Sequence, residues 1–362
     1  MSAFKFHSLK VASIDRIAED AVCVTLEVPA ALREEFLFHA GQYVTVRRML
    51  EDREERRSYS IVCAPDSGML KVGIRLQPGG RVSNELAATI KAGDALEIGT
   101  PAGRFKTAVH PERALRYVAF ASGSGITPVL SMITHILQLE KSSRVTLVYG
   151  NRRMSSTMFL EEILGLKNRF LHRFAVHFVM SREPQETAWL NGRVDAQKVK
   201  ELAGKLPEIE SADEYLICGP GDMVADISAA LKELNPNSAI RFERFTNQAA
   251  RVVPGTTTGQ SSNVKTAAVL ANIVLTMDGR RREFAMYEGD HSVLDAAERA
   301  GLSLPFSCRA GICATCRARV TEGKVVMAHN IALEPWETEA GFVLCCQARP
   351  TTPTLKLTYD QK

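Results

Sequence analysis

The stretch that decides the fold is PFSCRAGICATC, residues 305–316, near the carboxyl end of a chain of 362 residues. Its cysteines have the spacing C-x4-C-x2-C, and Cys346 follows after 29 intervening residues, 317 to 345. This is the plant-type spacing of a [2Fe–2S] cluster, in which a tight loop supplies three thiolates and a distant segment supplies the fourth. Gly311 lets the backbone turn close to the inorganic sulfurs. The predicted metal ligands are Cys308, Cys313, Cys316 and Cys346.

Other interpretations of these cysteines stay open at this point. Structural zinc is one, although its sites usually pair two C-x2–4-C units and only one such unit occurs here. Four unrelated buried cysteines are another. Cys345 competes with Cys346, but on an extended segment successive side chains point to opposite sides. We therefore assign Cys346 as the ligand and expect Cys345 to be a packed thiol.

The composition is that of an ordinary globular protein, with 45% hydrophobic residues, 24% charged residues and a net charge of +4. This length predicts two or three domains. No Lys/Arg-rich block suggests a nucleic-acid partner, and no run of about 18 apolar residues suggests a membrane. The amino terminus lacks the apolar region of a signal peptide, so we expect a cytoplasmic protein whose clustered cysteines bind metal and not each other.

The residue pattern changes three times along the chain, which divides it into four segments. Residues 1–110 carry short β-branched runs between Gly, Pro and Asp, which predicts a small antiparallel β-barrel. Residues 111–246 alternate apolar strands with helical stretches, which predicts an α/β domain with a parallel sheet. Residues 247–267 are rich in Ser, Thr, Gly and Asn, which is typical of a linker, and 268–362 form an α+β unit. The strands predicted in the barrel are Val22–Val28, Gln42–Arg47, Ser58–Val62 and Leu70–Leu76.

Two motifs in the first domain point to a phosphate-bearing cofactor. Arg57-Ser58-Tyr59-Ser60 lies on a predicted strand, although Arg57 could simply end the solvated charge run Glu51–Arg57. The sequence PGGRVSN, residues 78–84, is a glycine-rich turn that opens a helix. The free N–H groups and positive dipole end of such a helix suit a pyrophosphate.

Two further turns follow strands of the second domain. SGSGITP, residues 122–128, is not G-x-G-x-x-G, because Pro128 stands at the third glycine position, so a generic dinucleotide fingerprint is excluded. Its two glycines still allow the backbone to approach phosphate, and Pro128 suits the first turn of a helix. CGPG, residues 218–221, closes the last helix-linked strand; taken alone, Cys218 would be a buried strand cysteine.

These motifs resemble the ferredoxin–NADP reductase superfamily over nearly all of residues 8–245. The resemblance implies that Arg57 binds the flavin phosphates, Tyr59 stacks on the isoalloxazine and Ser60 hydrogen-bonds near its N5. The turn at 78–84 points to FAD over FMN. The flavin-binding residues implied are Arg57, Ser58, Tyr59, Ser60, Gly80, Val82 and Ser83.

The same resemblance places Thr127 near the nicotinamide and Cys218 beside its reacting carbon, so that Tyr59, Ser60, Thr127 and Cys218 would be the catalytic residues. The other nucleotide-site residues implied are Gly123, Gly125, Pro128, Gly219 and Pro220, with Glu243 and Phe245 near the flavin face. A 2′-phosphate is bound by positively charged guanidinium groups and by a hydroxyl donor. Arg152 and Arg182 could supply the guanidinium groups, and Ser181 could supply the hydroxyl. NADPH is therefore preferred, although these arginines could merely solvate loops, and an NAD site would prefer an acidic residue.

The cysteine segments resemble the C-terminal ferredoxin domain of oxygenase reductases, whose fold is a β-grasp. Domain order and the motif YGNRR, residues 149–153, make the whole chain resemble the reductase subunits of multicomponent phenylacetyl-CoA 1,2-epoxidases. That resemblance implies electron flow from NADPH through FAD and [2Fe–2S] to a diiron oxygenase. The alternatives are a reductase for another oxygenase, such as ketosteroid 9α-hydroxylase, and a zinc-binding scaffold without redox activity.

Overall fold

We describe residues 5–51, 53–245 and 268–360 in a computed structural model, and the predicted linker at 247–267 lies outside these ranges. The chain divides into two units. One comprises Phe6–Glu55 and Tyr59–Ala250, and the other comprises Met1–Lys5, Arg56–Ser58 and Arg251–Lys362. Most of the predicted flavin domain thus shares one unit with the predicted nucleotide domain, whereas Arg56–Ser58 is grouped with the other unit. Their boundary between residues 110 and 111 stays a prediction.

The amino-terminal part is an antiparallel sheet of six strands in the order β4-β3-β6-β1-β2-β5. A bridge between Ile61, just after β4, and Val72 of β5 joins the two ends of this order and closes the sheet. Helix α1 covers the core through Val82 and Leu86. The elements are β1 (Phe6–Ala18), β2 (Ala21–Glu27), β3 (Tyr43–Leu50), β4 (Arg53–Ser60), β5 (Leu70–Arg75), α1 (Arg81–Thr89) and β6 (Ala95–Gly99).

The charge run that ends at Arg57 is not a solvated loop. From Arg53 onward it forms β4, the first strand of the sheet order. Its acidic side chains are paired: Glu54 lies 3.8 Å from Arg47 of β3, and Glu55 lies 3.5 Å from Arg81 of α1. These ion pairs with neighbouring elements explain why a strand can carry so many charges.

The following part is a parallel sheet in the order β11-β10-β7-β8-β9, as the strand–helix alternation predicts. Parallel strands need helical crossovers, and the chain supplies one after each of β7, β8, β9 and β10. The elements are β7 (Arg116–Ser122), α2 (Ile126–Leu139), β8 (Arg144–Asn151), α3 (Leu160–Arg169), β9 (Phe174–Met180), α4 (Ala196–Ala203), β10 (Glu214–Pro220), α5 (Gly221–Leu234) and β11 (Ala239–Phe245).

The carboxyl-terminal domain is a mixed sheet in the order β13-β12-β18-β14-β16, with a separate pair β15-β17. Helix α6 starts at the predicted cap: the Ser292 hydroxyl accepts the Asp295 N–H at 3.2 Å, and the helix buries its apolar side in the core. The predicted α+β class is therefore confirmed. The elements are β12 (Val269–Met277), β13 (Arg280–Tyr287), α6 (Val293–Arg299), β14 (Arg317–Glu322), β15 (Val325–Met327), α7 (Pro335–Glu339), β16 (Phe342–Leu344), β17 (Ala348–Pro350) and β18 (Thr354–Thr358).

Membrane crossing by a helix needs about 20 apolar residues in one run. None of the helices in the ranges given above is long and apolar enough for that.

Candidate functional site

The four predicted cluster ligands lie on two loops of the carboxyl-terminal domain. Three sit between α6 and β14, and Cys346 sits between β16 and β17. Their thiols form two hydrogen-bonded pairs, Cys308 with Cys313 and Cys316 with Cys346. Two pairs suit a two-iron cluster, in which each iron takes two protein ligands. Across the residues that the structure describes, no three His, Cys, Asp or Glu side chains converge as they would around a single ion.

The surroundings of Cys308 favour the thiolate form of its side chain. The pKa of its thiol is lowered to about 6, chiefly by a hydrogen bond from the Cys313 thiol. Burial opposes this effect, and the N–H groups of Ala310 and Ile312, each 3.4 Å from Cys308 Sγ, support it. The thiolate is the form that binds metal. Backbone donors at this loop would also stabilise the negative charge of a bound cluster.

Three residues of the loop, Arg309, Gly311 and Ala314, have positive φ, and the structure shows different surroundings for the first two. Gly311 has φ +75°, and a Cβ there would lie 2.7 Å from the His329 carbonyl oxygen, so this position packs on a neighbouring segment as well as bending the loop. Arg309 has φ +51°, a conformation that non-glycine residues adopt only when held. Ion pairs with Asp295, at 3.2 Å, and with Glu298 of α6 hold it. Sequence reasoning missed Arg309, because its partners lie on another element.

The argument that separated Cys345 from Cys346 rested on an extended segment, and that premise is wrong. Residues 345–347 form a turn, closed by a 2.8 Å hydrogen bond from the Gln347 N–H to the Leu344 carbonyl. Both cysteines lie in the core of this domain, and their hydrogen-bond partners distinguish them instead: Tyr359 for Cys345 and Cys316 for Cys346. Cys345 is fully buried in the core, and burial raises the pKa of its thiol to about 12. Cys346 forms a thiol pair with Cys316, and this pairing supports Cys346 as the ligand.

The flavin motif occupies the end of β4. The Tyr59 side chain packs against the core of the antiparallel sheet, and the Ser60 side chain is buried. Alternation along the strand separates Tyr59 from Ser58 and Ser60, as the sequence predicts. Arg57 stays a predicted phosphate ligand.

The glycine-rich turn before α1 fits a pyrophosphate through its backbone. Gly79 has φ +71°, and the Gly80 N–H donates to the Gln77 carbonyl at 2.8 Å. Gly80 precedes the helix and has no side chain that could cap its first N–H groups, so those groups remain available to phosphate oxygens. The Val82 side chain is in the core, which leaves only its backbone for a ligand. The Ser83 hydroxyl already accepts the Gln77 N–H at 3.4 Å and organises the turn.

The structure brings together the two turns predicted to bind the nicotinamide nucleotide. They follow β7 and β10, which are adjacent parallel strands, so both lie at the carboxyl edge of the sheet. A Cβ on Gly125 would lie 2.2 Å from the Cys218 carbonyl oxygen and 2.9 Å from the Gly219 nitrogen. A Cβ on Gly219 would lie 3.3 Å from Ser122 Cβ. Gly125 is therefore needed for the two backbones to touch, and Gly219 packs tightly against side chains.

Thr127 lies in the first turn of α2 and is almost fully buried. Its hydroxyl donates to the Ser124 carbonyl at 2.9 Å, and its methyl group faces Gly73 of β5, where a Cβ would lie only 2.7 Å away. The hydroxyl thus closes the turn that precedes the helix. The proposed contact between Thr127 and a nicotinamide stays a prediction.

Arg75 is a residue of this site that sequence reasoning missed. Arg75 is the last residue of β5. Its guanidinium group lies beside the turn after β7, where a Cβ added to Gly123 would be 3.6 Å from Arg75 Nη1. It donates to the Ser156 carbonyl and lies 3.6 Å from Asp20. Strand alternation could place Arg75 on one face of β5, but only the tertiary structure shows what packs there.

Cys218 and Glu243 are register partners on β10 and β11, so their side chains lie on the same face of the sheet. Cys218 is fully buried; burial, and secondarily Glu243, raises the pKa of its thiol. Burial raises the pKa of Glu243 to about 8, and its Oε2 is buried without a hydrogen-bond partner among the described residues. Both groups are therefore uncharged at pH 7. Phe245, the last residue of β11, is partly buried and packs against the hydrophobic core that includes Cys218.

We expect Glu243→Gln to remove a loss of stability between about pH 4.5 and pH 8, together with a change in turnover near pH 8. The folded-state pKa lies above the ordinary value of 4.5, so the stability associated with the neutral acid is complete below pH 4.5 and is lost as the pH rises to about 8. The wild type should lose stability across this window and change its NAD(P)H-to-dye turnover near pH 8, where an anion forms beside Cys218. Denaturant titrations and pH–rate profiles measure both effects. Equal pH slopes in wild type and variant would contradict the assignment.

The predicted ribose segments are also joined. The Ser181 and Arg182 N–H groups donate to the Asn151 and Arg152 carbonyls, each at 2.9 Å. The arginine side chains at 152 and 182 are exposed, as a phosphate fork requires. Glu183 follows directly, and its carboxylate accepts the Met154 N–H at 2.9 Å. Positive and negative groups therefore meet at this edge, and the choice of NADPH stays a proposal.

The fold and the site together define an iron–sulfur flavoprotein reductase that uses a nicotinamide nucleotide. Three family models match the chain. An oxidoreductase FAD-binding domain covers residues 8–107, an oxidoreductase NAD-binding domain covers 120–229, and a 2Fe-2S iron-sulfur cluster binding domain covers 275–351. The expected cofactors, FAD, a nicotinamide nucleotide and [2Fe–2S], are thereby confirmed, and the zinc scaffold is not supported.

Comparisons over the whole length narrow the class. The chain is 39% identical over 99% of its length, and 98% of the relative's, to a component of the 1,2-phenylacetyl-CoA epoxidase of Escherichia coli (strain K12). It is 30% identical, over 97% and 96%, to the ferredoxin reductase component of 3-ketosteroid-9-alpha-monooxygenase of Rhodococcus rhodochrous. Phthalate dioxygenase reductase shares the fold, with a TM-score of 0.56 at 21% identity over 98% of both chains. The chain belongs to the ferredoxin reductase superfamily and, within it, to the family of phenylacetyl-CoA epoxidase reductase subunits.

Proposed function

We propose that this chain is the reductase that carries electrons from NADPH to a diiron oxygenase for ring epoxidation of phenylacetyl-CoA. One observation carries the proposal. The 39% identity to a component of phenylacetyl-CoA epoxidase extends over nearly the whole of both chains, across all three cofactor domains. The identity to the ketosteroid monooxygenase reductase, over a similar span, is 30%.

The bound groups would supply the redox chemistry: a two-electron reductant, a flavin that exchanges electrons in twos or singly, and a one-electron cluster. The chain would supply binding and alignment. The backbone of the turn before α1 would hold the flavin pyrophosphate. The touching turns after β7 and β10 would seat the nucleotide, next to the uncharged pair Cys218 and Glu243. The thiol pairs would hold the cluster.

NADPH is the proposed electron donor because two exposed arginines, Arg152 and Arg182, and the Ser181 hydroxyl end adjacent strands where a 2′-phosphate would lie. A charged fork and a hydroxyl are suited to that group, although Glu183 in the same loop is a feature of NADH sites. Specificity would therefore depend on Arg182 outweighing its acidic neighbour.

We expect Arg182→Gln to raise the KM for NADPH about tenfold, the loss typical of one charge-assisted contact, and the KM for NADH less than about twofold. Steady-state kinetics with a dye acceptor measure both constants. Arg144→Gln is the matched control: Arg144 is exposed at the amino end of β8, the opposite edge of the sheet, and should change neither constant. Equal increases for the two nucleotides on replacing Arg182 would refute the 2′-phosphate role.

The partner follows from the same relatives. One relative is a component of an epoxidase and the other is the ferredoxin reductase component of a monooxygenase, which supports an oxygenase as the electron acceptor. The diiron type of that oxygenase belongs to this proposal. We also place the protein in the cytoplasm, where cysteines stay reduced, in keeping with its eight free cysteines.

Reconstitution tests the proposal directly. The purified reductase, NADPH and the purified epoxidase oxygenase components should convert phenylacetyl-CoA to its ring epoxide, detected by mass spectrometry. A ketosteroid 9α-hydroxylase oxygenase, supplied in parallel with its steroid, tests the second candidate. Turnover only with the steroid system would replace the proposed acceptor, and turnover with neither would refute both.

A further inference from the structure

The last described residues of the chain contact the cysteine loop. The Tyr359 hydroxyl, just beyond β18, donates a hydrogen bond to the Cys316 carbonyl oxygen at 3.4 Å. The Cys345 N–H donates to the same oxygen at 3.0 Å. The carbonyl oxygen of Cys316, a predicted ligand, therefore accepts two hydrogen bonds. One comes from Tyr359, and the other comes from Cys345, which precedes the predicted ligand Cys346.

The tyrosine also contacts the side chain of Cys345. Its hydroxyl lies within hydrogen-bond reach of the buried Cys345 thiol, and its ring packs on the domain core. Tyr359 thus connects the backbone at Cys316 with the segment that carries Cys346. In an apolar environment, hydrogen bonds that share partners hold geometry more firmly than isolated ones at a surface.

The segment that carries the tyrosine is anchored on both sides. The Tyr359 N–H donates to the Thr276 carbonyl of β12 at 2.9 Å. The Asp360 carboxylate accepts the N–H groups of Asp278 and Gly279, at 2.6 and 2.8 Å, in the turn between β12 and β13. The backbone at 359–360 is therefore fixed to the sheet, and the hydroxyl is directed to one place.

We propose that Tyr359 is a positioning residue for the cluster. Its hydroxyl holds the Cys316 carbonyl and the Cys345 thiol together, and so sets the separation of Cys316 and Cys346, the thiol pair that would bind one iron. The role does not require the tyrosine to ligate or to ionise. It rests on the proposed function only through the cluster, and not through the identity of the oxygenase.

Tyr359→Phe in the full-length protein tests the role, because it removes the hydroxyl and keeps the ring. The cluster should still assemble, but an excess of ferrous chelator should remove its iron at least about fivefold faster than from wild type, the factor expected for one lost hydrogen bond. The EPR g-values of the dithionite-reduced cluster should shift, while NADPH-to-dye activity through the flavin stays within about twofold. Tyr287→Phe is the matched control, since that ring stacks under Arg299 in the same domain, and it should change neither readout.

Wild-type iron release and wild-type g-values in Tyr359→Phe would overturn the proposal. If that variant fails to fold, Asp360→Ala provides a second test, because it removes only the exposed anchor of the same segment. It should speed iron release about twofold and shift the g-values in the same direction, and no change would again overturn the proposal. Neither readout involves an oxygenase, so failure of epoxidation leaves this proposal standing and identifies the proposed function as the part in error.

Discussion

Cys346→Ser should abolish the cluster and lower electron transfer to one-electron acceptors at least about 100-fold, while NADPH-to-dye activity through the flavin should stay within about twofold of wild type. The reason is that Cys346 and Cys316 form one of the two thiol pairs. When one of the four thiolates is removed, one iron of the cluster loses one of its two protein ligands. The turns that would hold the flavin pyrophosphate and the nucleotide lie in the other unit of the chain and keep their own supports.

Iron content, visible absorption and the EPR signal after dithionite reduction measure the loss of the cluster. Cys345→Ser is the matched control, since it changes the adjacent thiol, which is buried in the core and outside both pairs. That control should keep the cluster, with at most a modest loss of stability from a polar atom in the core. A retained cluster in the first variant together with a lost cluster in the second would reverse the ligand assignment.

Gly125→Ala should lower kcat/KM for NADPH at least about 100-fold without releasing the flavin. The added Cβ would lie 2.2 Å from the Cys218 carbonyl oxygen and 2.6 Å from its carbonyl carbon. Both are backbone atoms, so no flexible side chain can move aside, and the two turns must separate. A displacement of about 1 Å in a site that aligns reacting groups can cost two orders of magnitude in rate.

Dye-coupled kinetics, flavin content and thermal unfolding measure this effect. The matched control is Gly165→Ala in the middle of α3, where an added Cβ meets no atom within 4 Å. Alanine favours a helix over glycine, so that variant should keep its activity and gain stability of about 0.5–1 kcal/mol. Unchanged nucleotide kinetics in Gly125→Ala would show that the contact between the turns does not form the site.

The barrel shows where patterns of sequence were sufficient and where they were not. Alternation and turn residues predicted β2, β3 and β5 to within a few residues. They did not predict the 13-residue strand β1, which mixes charged and apolar residues. They placed a strand at Ser58–Val62, whereas β4 spans Arg53–Ser60, because the first half of β4 is charged. Pairing with neighbouring strands and ion pairs with other elements stabilise such strands, and neither is visible in a local window.

The candidate site divides in the same way. The cluster loop could be predicted from the sequence because three ligands lie within nine residues and the chemistry of the cluster dictates their spacing. The glycine turns were readable because tight turns and close approach of backbone require glycine. The contacts of Arg75 with the turn after β7, of Arg309 with α6 and of Tyr359 with Cys316 were not readable, since each joins elements distant in the chain.

The amino-acid sequence by itself determined the order of the domains, a thiolate loop and phosphate-binding turns, because spacing and residue type are sufficient to define them. FAD and NADPH followed from the resemblance of these motifs to the ferredoxin–NADP reductase superfamily. Only the tertiary structure decided which backbones touch, which of two adjacent cysteines pairs with Cys316, and that Cys218 and Glu243 form an uncharged pair. Those properties depend on burial and on strand register, and both arise only when distant segments pack against each other.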